Sequence, residues 1–223
     1  ELERARVERE WEITRQRVPA LGAAQLERAR SYFTAPPYRP LDDAAAESLL
    51  SGQRAANRAF DRWMSRNVSG HRVPGYAIVT LSLKPTGIAP GDATDRQMER
   101  IADLADSYSF GEIRVTHEQN LVLADVEKEK LFALWEAARD AGLATPNIGM
   151  LTDIICCPGG DYCSLANAKS IPVAEAIQRR FDDLDYLHDL GDIHLNISGC
   201  MNACGHHHVG QIGILGVDKK GEE

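Results

Sequence analysis

The chain has 223 residues, 43% of them hydrophobic and 26% charged, a balance that excludes wholesale disorder, a fibrous protein and a small disulfide scaffold. Its formal net charge of −8 speaks against nucleic acid as the main partner, because phosphate recognition draws on clustered Lys and Arg. No run approaches 18 consecutive apolar residues, and the opening ELERARVEREWE has no apolar segment, so no membrane partner and no secretory route is expected and the setting is read as cytoplasmic. The absence of an initiating Met reads as a processed or excised chain.

Residues 1–30 and 42–66 are rich in Ala, Arg, Glu and Leu. Trp11, Ile13 and Val18 on the first stretch and Leu49, Leu50, Phe60, Trp63 and Met64 on the second predict helices. The Ala-Pro-Pro-Tyr-Arg-Pro at 35–40 cannot continue either, since proline lacks an N–H and restricts the residue before it. From Gly75 the pattern changes to strand, helix, strand, strand, helix. Tyr76 to Leu83 is a strand, and Asp92-Ala-Thr-Asp opens a helix carrying Met98, Ile101, Leu104 and Ala105. Glu112 to Thr116 and Leu121 to Val126 are strands, and Lys128 to Ala141 is a helix stopped by Gly142. The apolar stretch Ile148 to Ile155 then runs into the cysteines, followed by a helix near Val173 to Phe181 and strands Ile193 to Ser198 and Val209 to Val217. Composition shifts near Pro74 and Pro146 divide the chain into a helical linker (1–73), an α/β half domain (74–146) and a cysteine-bearing domain (147–223), an α+β protein.

All five cysteines fall between positions 156 and 204, a confinement that suggests a metal site in a reducing compartment. Cys157 and Cys163 enclose five residues, and Cys200 and Cys204 enclose three. A structural zinc knuckle commonly spaces its paired cysteines by two to four residues, so the wider gap fits it poorly; an iron-sulfur cubane is larger and takes thiolates from separated loops. Gly159, Gly160, Gly199 and Gly205 can bring backbone N–H groups close to sulfur. Cys163 precedes Ser-Leu-Ala-Asn-Ala-Lys, where a helix N-terminus would favour a thiolate. Cys156 is read as packing. For any one cysteine, simple burial in a core is the competing explanation.

The pattern Cys, five residues, Cys, then Gly-Cys-x-Asn-x-Cys-Gly resembles the nitrite and sulfite reductase hemoproteins. Upstream the resemblance extends through Pro-Gly-Tyr-Ala-Ile-Val-Thr-Leu-Ser-Leu-Lys-Pro, Ile-Arg-Val-Thr-His-Glu-Gln-Asn-Leu and Asn-Ile-Gly-Met-Leu-Thr-Asp-Ile-Ile, covering about residues 74–223. Within that family the pattern is most similar to the hemoprotein β-components of bacterial assimilatory sulfite reductases. The resemblance implies the second of two pseudo-repeated halves, cut short, with a ferredoxin-like α/β half domain followed by an incomplete 4Fe-4S and siroheme domain. It implies that Cys157, Cys163, Cys200 and Cys204 bind a 4Fe-4S cluster and that Cys204 bridges it to siroheme, passing electrons and so counting as catalytic. By the same resemblance Asn202 hydrogen-bonds near the cluster; its alternative is a left-handed turn residue. Arg114, Thr116, Gln119 and Asn120 match a strand-turn motif that contacts siroheme in the family's first half, with Arg114 and Thr116 on one strand face. In an extended stretch only His206 and His208 of the three consecutive histidines could converge, and cavity lining or packing is the reading preferred to a metal site.

The function implied is reduction of sulfite to sulfide by six electrons delivered from a flavoprotein or ferredoxin. The alternatives are an assimilatory nitrite reductase, a non-catalytic cluster-binding electron-transfer module and a structural zinc domain. Residues 71–223 carry 13 basic and 23 acidic residues, with Arg72, Arg114 and Lys169 the cations expected near the cavity and Arg179 and Arg180 read as solvating a helix. Siroheme and its oxyanion substrate both demand clustered cations, so the chain is expected to be inactive without the N-terminal half of its parent. The ending Lys219-Lys220-Gly-Glu-Glu is expected to fall short of a further phosphate-binding glycine segment.

Overall fold

A computed structural model describes residues 2–17 and 22–218, so Val18 and the segment from Lys219 onward lie outside the described residues. The chain divides into two compact units, Glu1–Tyr38 and Arg39–Glu223. The first contains helices α1 (Leu2–Arg15) and α2 (Ala23–Arg30). Helix α1 is laced by the pairs Arg4–Glu8, Arg6–Glu3 and Arg15–Glu12 one turn apart, and Trp11 on it is exposed. Val7 and Ile13 on the same helix are exposed as well.

The second unit opens with α3 (Asp43–Ala56) and α4 (Arg58–Asn67). The single helix expected over 42–66 is broken at Asn57, whose extended backbone ends α3 and whose side-chain oxygen accepts from Phe60 N–H at 3.1 Å to cap α4. Four antiparallel strands follow in the spatial order β1-β2-β4-β3: β1 (Val68–Gly70), β2 (Tyr76–Leu81), β3 (Arg114–Val115) and β4 (Leu121–Glu127). Helix α5 (Asp95–Tyr108) crosses between β2 and β3, and α6 (Leu131–Asp140) follows β4 after a 3-10 turn at 128–130. Thr94 and Gln97 form a reciprocal cap on α5, the start expected from Asp92-Ala-Thr-Asp. The apolar faces of α3, α4, α5 and α6 close over this sheet in one core that includes Leu50, Phe60, Trp63, Val79, Leu104 and Leu134. The residues read as a linker thus supply core side chains to the ferredoxin-like layer.

A second, smaller sheet is wholly parallel, ordered β5 (Ile155–Cys156), β6 (Leu195–Ser198) and β7 (Ile212–Leu215). Its core gathers Met150, Ile154, Cys156, Ala174, Leu187 and Ile197. Parallel strands need long return connections. One is α7 (Ile171–Arg180) with α8 (Leu184–Leu190), a helix not expected from the sequence and capped by the Asp183 side chain. The other is the segment 199–211, which carries the second cysteine pair. Because the strands run the same way, the first and second cysteine loops leave the sheet at one rim. The strand expected over 112–116 contracts to two residues, and most of the apolar stretch from Ile148 forms turns before β5.

Phe60 is fully buried and its ring stacks or tilts against Trp63, Phe132 and Trp135 at centroid distances of 6.0, 5.0 and 5.4 Å. Phe60→Ala is expected to lower stability by about 3–5 kcal/mol, read as a drop in the urea unfolding midpoint. A loss below about 1 kcal/mol would mean that α4 is not part of the cooperative core.

Candidate functional site

The loop after β5 begins at Cys157, whose N–H donates to the Ile197 carbonyl of β6 at 3.0 Å. Its Sγ accepts the N–H of Gly199 at 3.0 Å and lies 3.7 Å from Ser170 Oγ. The peptide of Gly199 is itself a node, because its carbonyl accepts from Asn167 N–H at 2.8 Å and from Ala168 N–H at 3.0 Å. Gly160 N–H then donates to the Ala168 carbonyl at 2.9 Å. Three cysteine-bearing stretches, around Cys157, Cys163 and Cys200, are therefore tied by backbone bonds at one place. No side chain fits between two of them: a Cβ on Gly199 would stand 2.8 Å from the Gly159 Cα, and one on Gly159, at φ +61°, would stand 2.6 Å from Ser170 N.

Cys157 and Cys200 are buried, Cys163 is half-buried and Cys204 is exposed; all five cysteines are free thiols. The N–H of Gly205, directly after Cys204, donates to Ser198 Oγ at 3.1 Å and returns the second loop to the end of β6. Among the described residues no three His, Cys, Asp or Glu side chains converge on a single-ion site. An N–H donor on a cysteine sulfur, glycine contacts that exclude a Cβ, and thiols spread over two loops on one rim fit the needs of a multi-iron cluster, whose sulfurs are wider apart than the ligands of one ion.

Several local expectations are corrected. The stretch after Cys163 forms turns, so no helix dipole acts on its thiol. Between Cys200 and Cys204 the left-handed residue is Ala203, at φ +58°, and Asn202 is an exposed neighbour without that conformation. The three histidines are not extended: His206 is left-handed at φ +51° and a 3-10 turn covers 207–209, which sets the His206 and His208 rings edge to face with centroids 6.4 Å apart. His206 lines a cleft of about 320 Å³ with His117, His194 and Asn196.

The strand-turn motif is placed against the first loop, on the side of β5 away from β6. Arg114 is exposed and paired with Glu112. Thr116 directly follows β3, its N–H still donates to the Asn120 carbonyl at 3.0 Å, and its Oγ1 closes the turn by accepting from Asn120 N–H at 3.1 Å. Asn120 is buried, its oxygen accepting from Leu83 N–H at 3.2 Å and its amide donating to Asp153 Oδ1 at 2.9 Å. The Gln119 side chain meets the backbone of Cys156 twice, accepting from its N–H at 2.8 Å and donating to its carbonyl at 2.9 Å. Sequence reasoning missed two members of this joint, Lys84 and Asp153. The Lys84 side chain is fully buried and its Nζ donates to Asp153 Oδ1 at 2.7 Å and to the Glu118 carbonyl. Burial pushes the Lys84 ammonium below its usual range and the Asp153 carboxylate opposes that shift. The signal was available as an isolated Lys inside an apolar strand run, Leu-Ser-Leu-Lys-Pro.

This geometry belongs to a ferredoxin-like α/β layer joined to a rim of paired cysteine loops. Residues 74–141 match the family model of the nitrite/sulfite reductase ferredoxin-like half domain. The chain is 29% identical over 189 residues to the chloroplastic ferredoxin–nitrite reductase of Betula pendula, a stretch covering 81% of this chain and 29% of that protein. It is also 29% identical over 140 residues to sulfite reductase [ferredoxin] 2 of Mycolicibacterium paratuberculosis, covering 60% of this chain and 25% of the relative. The fold is shared with the solved structure of the Mycobacterium tuberculosis NirA protein, with a TM-score of 0.55 at 24% identity over 71% of this chain and 29% of that one. Residues 74–141 carry the ferredoxin-like half domain of the nitrite and sulfite reductase family, and the chain spans less than a third of the length of these relatives.

Cys156 is 3% exposed, and burial, reinforced by neighbouring Cys157, pushes its thiol up to about 12. A raised value keeps the thiol protonated until the pH nears that figure, leaving a thiolate in about one molecule in ten thousand at pH 8. In the metal-free chain treated with iodoacetamide at pH 8, peptide mass spectrometry is expected to find Cys204 and Cys163 alkylated first and Cys156 last. Modification of Cys156 at the rate of Cys204 would show that its buried position is wrong.

Proposed function

We propose that this chain is part of a siroheme-dependent reductase that takes sulfite to sulfide with six electrons. In this reading Cys157, Cys163, Cys200 and Cys204 hold a 4Fe-4S cluster and Cys204, the exposed thiol, is the bridge to siroheme. The observation that carries the reading is the Gly199 N–H directed at Cys157 Sγ across a glycine contact with no room for a side chain. When bound, the cluster would supply electron storage and transfer, and siroheme would supply an iron for the oxyanion. Nitrite is the second substrate reading, and the names of most of the relatives favour it. Those names also favour ferredoxin over a flavoprotein as the electron donor. Free thiols throughout support a reducing compartment, the cytoplasm, and no described helix is long and apolar enough to cross a membrane.

The chain's own residues divide the work. The Gly199 N–H donates a hydrogen bond to the Cys157 sulfur and would orient that ligand. Asn202, exposed between the last two ligands, is available to hydrogen-bond near the cluster. Arg114 is the member of the strand-turn motif exposed enough to meet a tetrapyrrole carboxylate, in exchange for its pairing with Glu112. Thr116, Gln119 and Asn120 support the cofactor through the turn they close and the Cys156 backbone they hold.

Anaerobic reconstitution is expected to give about four iron and four sulfide per chain. Cys157→Ser, Cys163→Ser, Cys200→Ser and Cys204→Ser should each abolish or degrade the cluster, and Cys156→Ser should only disturb packing. Stoichiometric zinc without iron uptake, or equal loss in Cys156→Ser, would refute the ligand assignment.

Activity needs fixed positive charge around the anion. Lys169 is paired with Asp161 at 3.1 Å and Arg114 with Glu112, so these two cations already serve carboxylates. The reconstituted chain with added siroheme and dithionite-reduced methyl viologen is therefore expected to form neither sulfide from sulfite nor ammonia from nitrite. Turnover comparable to a full-length relative would mean that the substrate site has been misplaced.

A further inference from the structure

We propose that Gln119 is a positioning residue for the first cysteine loop: its side-chain amide completes the open edge of β5 and so fixes the direction in which Cys157 leaves the sheet. The inference rests on the reading of Cys157 as a cluster ligand. β5 is an outer strand, with β6 on one side only. Its peptides alternate as a strand's must. The Cys157 N–H points inward to Ile197, whereas the N–H and carbonyl of Cys156 point outward. Both outward groups end on one side chain, at 2.8 and 2.9 Å. A single amide thereby makes the pair of bonds that a residue of a neighbouring strand would make. Without it, a buried donor and a buried acceptor next to a cluster ligand would lose their partners.

Gln119 is held in place for this task. It occupies a left-handed conformation at φ +59°, costly for a residue with a side chain. Gly91 makes room for it: a Cβ there would stand 2.9 Å from the Gln119 Cβ. The residues on either side are fixed independently, the Glu118 carbonyl by Lys84 and the Asn120 amide by Asp153. The backbone of this turn therefore cannot rotate to compensate when the side chain is shortened.

The test compares the full chain with Gln119→Asn, Gln119→Glu and Asn67→Ala. Asn tolerates the left-handed conformation but is one methylene short of Cys156, whereas Glu keeps the reach and the acceptor for its N–H. Asn67 is a control, a buried amide that donates to the Thr80 and Thr145 carbonyls away from the cysteines. By hydrogen exchange on the metal-free proteins, the Cys156 amide should exchange about tenfold faster in Gln119→Asn and within about threefold of wild type in Gln119→Glu and Asn67→Ala. The Cys157 amide, bonded to backbone, should change little in any of them. In the reconstituted proteins, loss of iron to a chelator should be about tenfold faster in Gln119→Asn, with an altered electron paramagnetic resonance spectrum of the reduced cluster, and unchanged in Asn67→Ala. Unaltered Cys156 exchange in Gln119→Asn, or equal acceleration in Asn67→Ala, would overturn the proposal. If wild type binds no iron, the cluster reading fails and the exchange result alone decides whether Gln119 clamps the strand.

Discussion

The ion pair between Lys84 and Asp153 is the constraint on which the joining of the two layers depends. An ammonium taken out of water is unfavourable unless its donors find acceptors, and here they find the Asp153 carboxylate and the Glu118 carbonyl. The other Asp153 oxygen accepts from Gly149 N–H at 2.9 Å, and Asn120 supplies a further donor. Around the same point, Asn147 accepts from Ser82 Oγ and donates to the Lys84 carbonyl. Three distant stretches, the end of the β2 run, the turn at 118–120 and the lead-in to β5, are thus committed to one buried network. Each polar group in it is costly alone, so the stretches assemble together or not at all.

The cysteine rim inherits its geometry from that network. Asp153 lies two residues before β5, and Gln119 sits between the two residues whose groups meet Lys84 and Asp153. The ferredoxin-like layer therefore does more than stand beside the cysteine loops: it supplies the outer partner of β5, the strand that leads into Cys157.

Much of the fold was legible because it rests on local chemistry. The Thr94 cap, the apolar spacing of Ile101, Leu104 and Ala105 and the alternation from Tyr76 onward are near-neighbour patterns, and each element formed where its pattern lay. The cysteine loops were legible from spacing and glycines. What escaped was decided at long range or by single residues: the break at Asn57, whose cap belongs to the helix that follows; α8, only seven residues long; and the left-handed Ala203, where a small residue was not expected to turn. Gln119 was singled out by family pattern, but its partner is the backbone of Cys156, and a backbone partner leaves no trace in residue identities.

The parallel direction of β5 and β6 separates the placement of the sulfurs from the length of chain between them. Both cysteine loops depart from strand ends on one rim, and the path from Cys163 to Cys200 runs out through α7 and α8 and returns to that rim through β6. Residues added or removed along that excursion would change the outer surface and leave the two strand ends in register. Such a layout lets evolution remodel the flank of the protein, and with it whatever docks there, while the cysteine-bearing edge stays fixed.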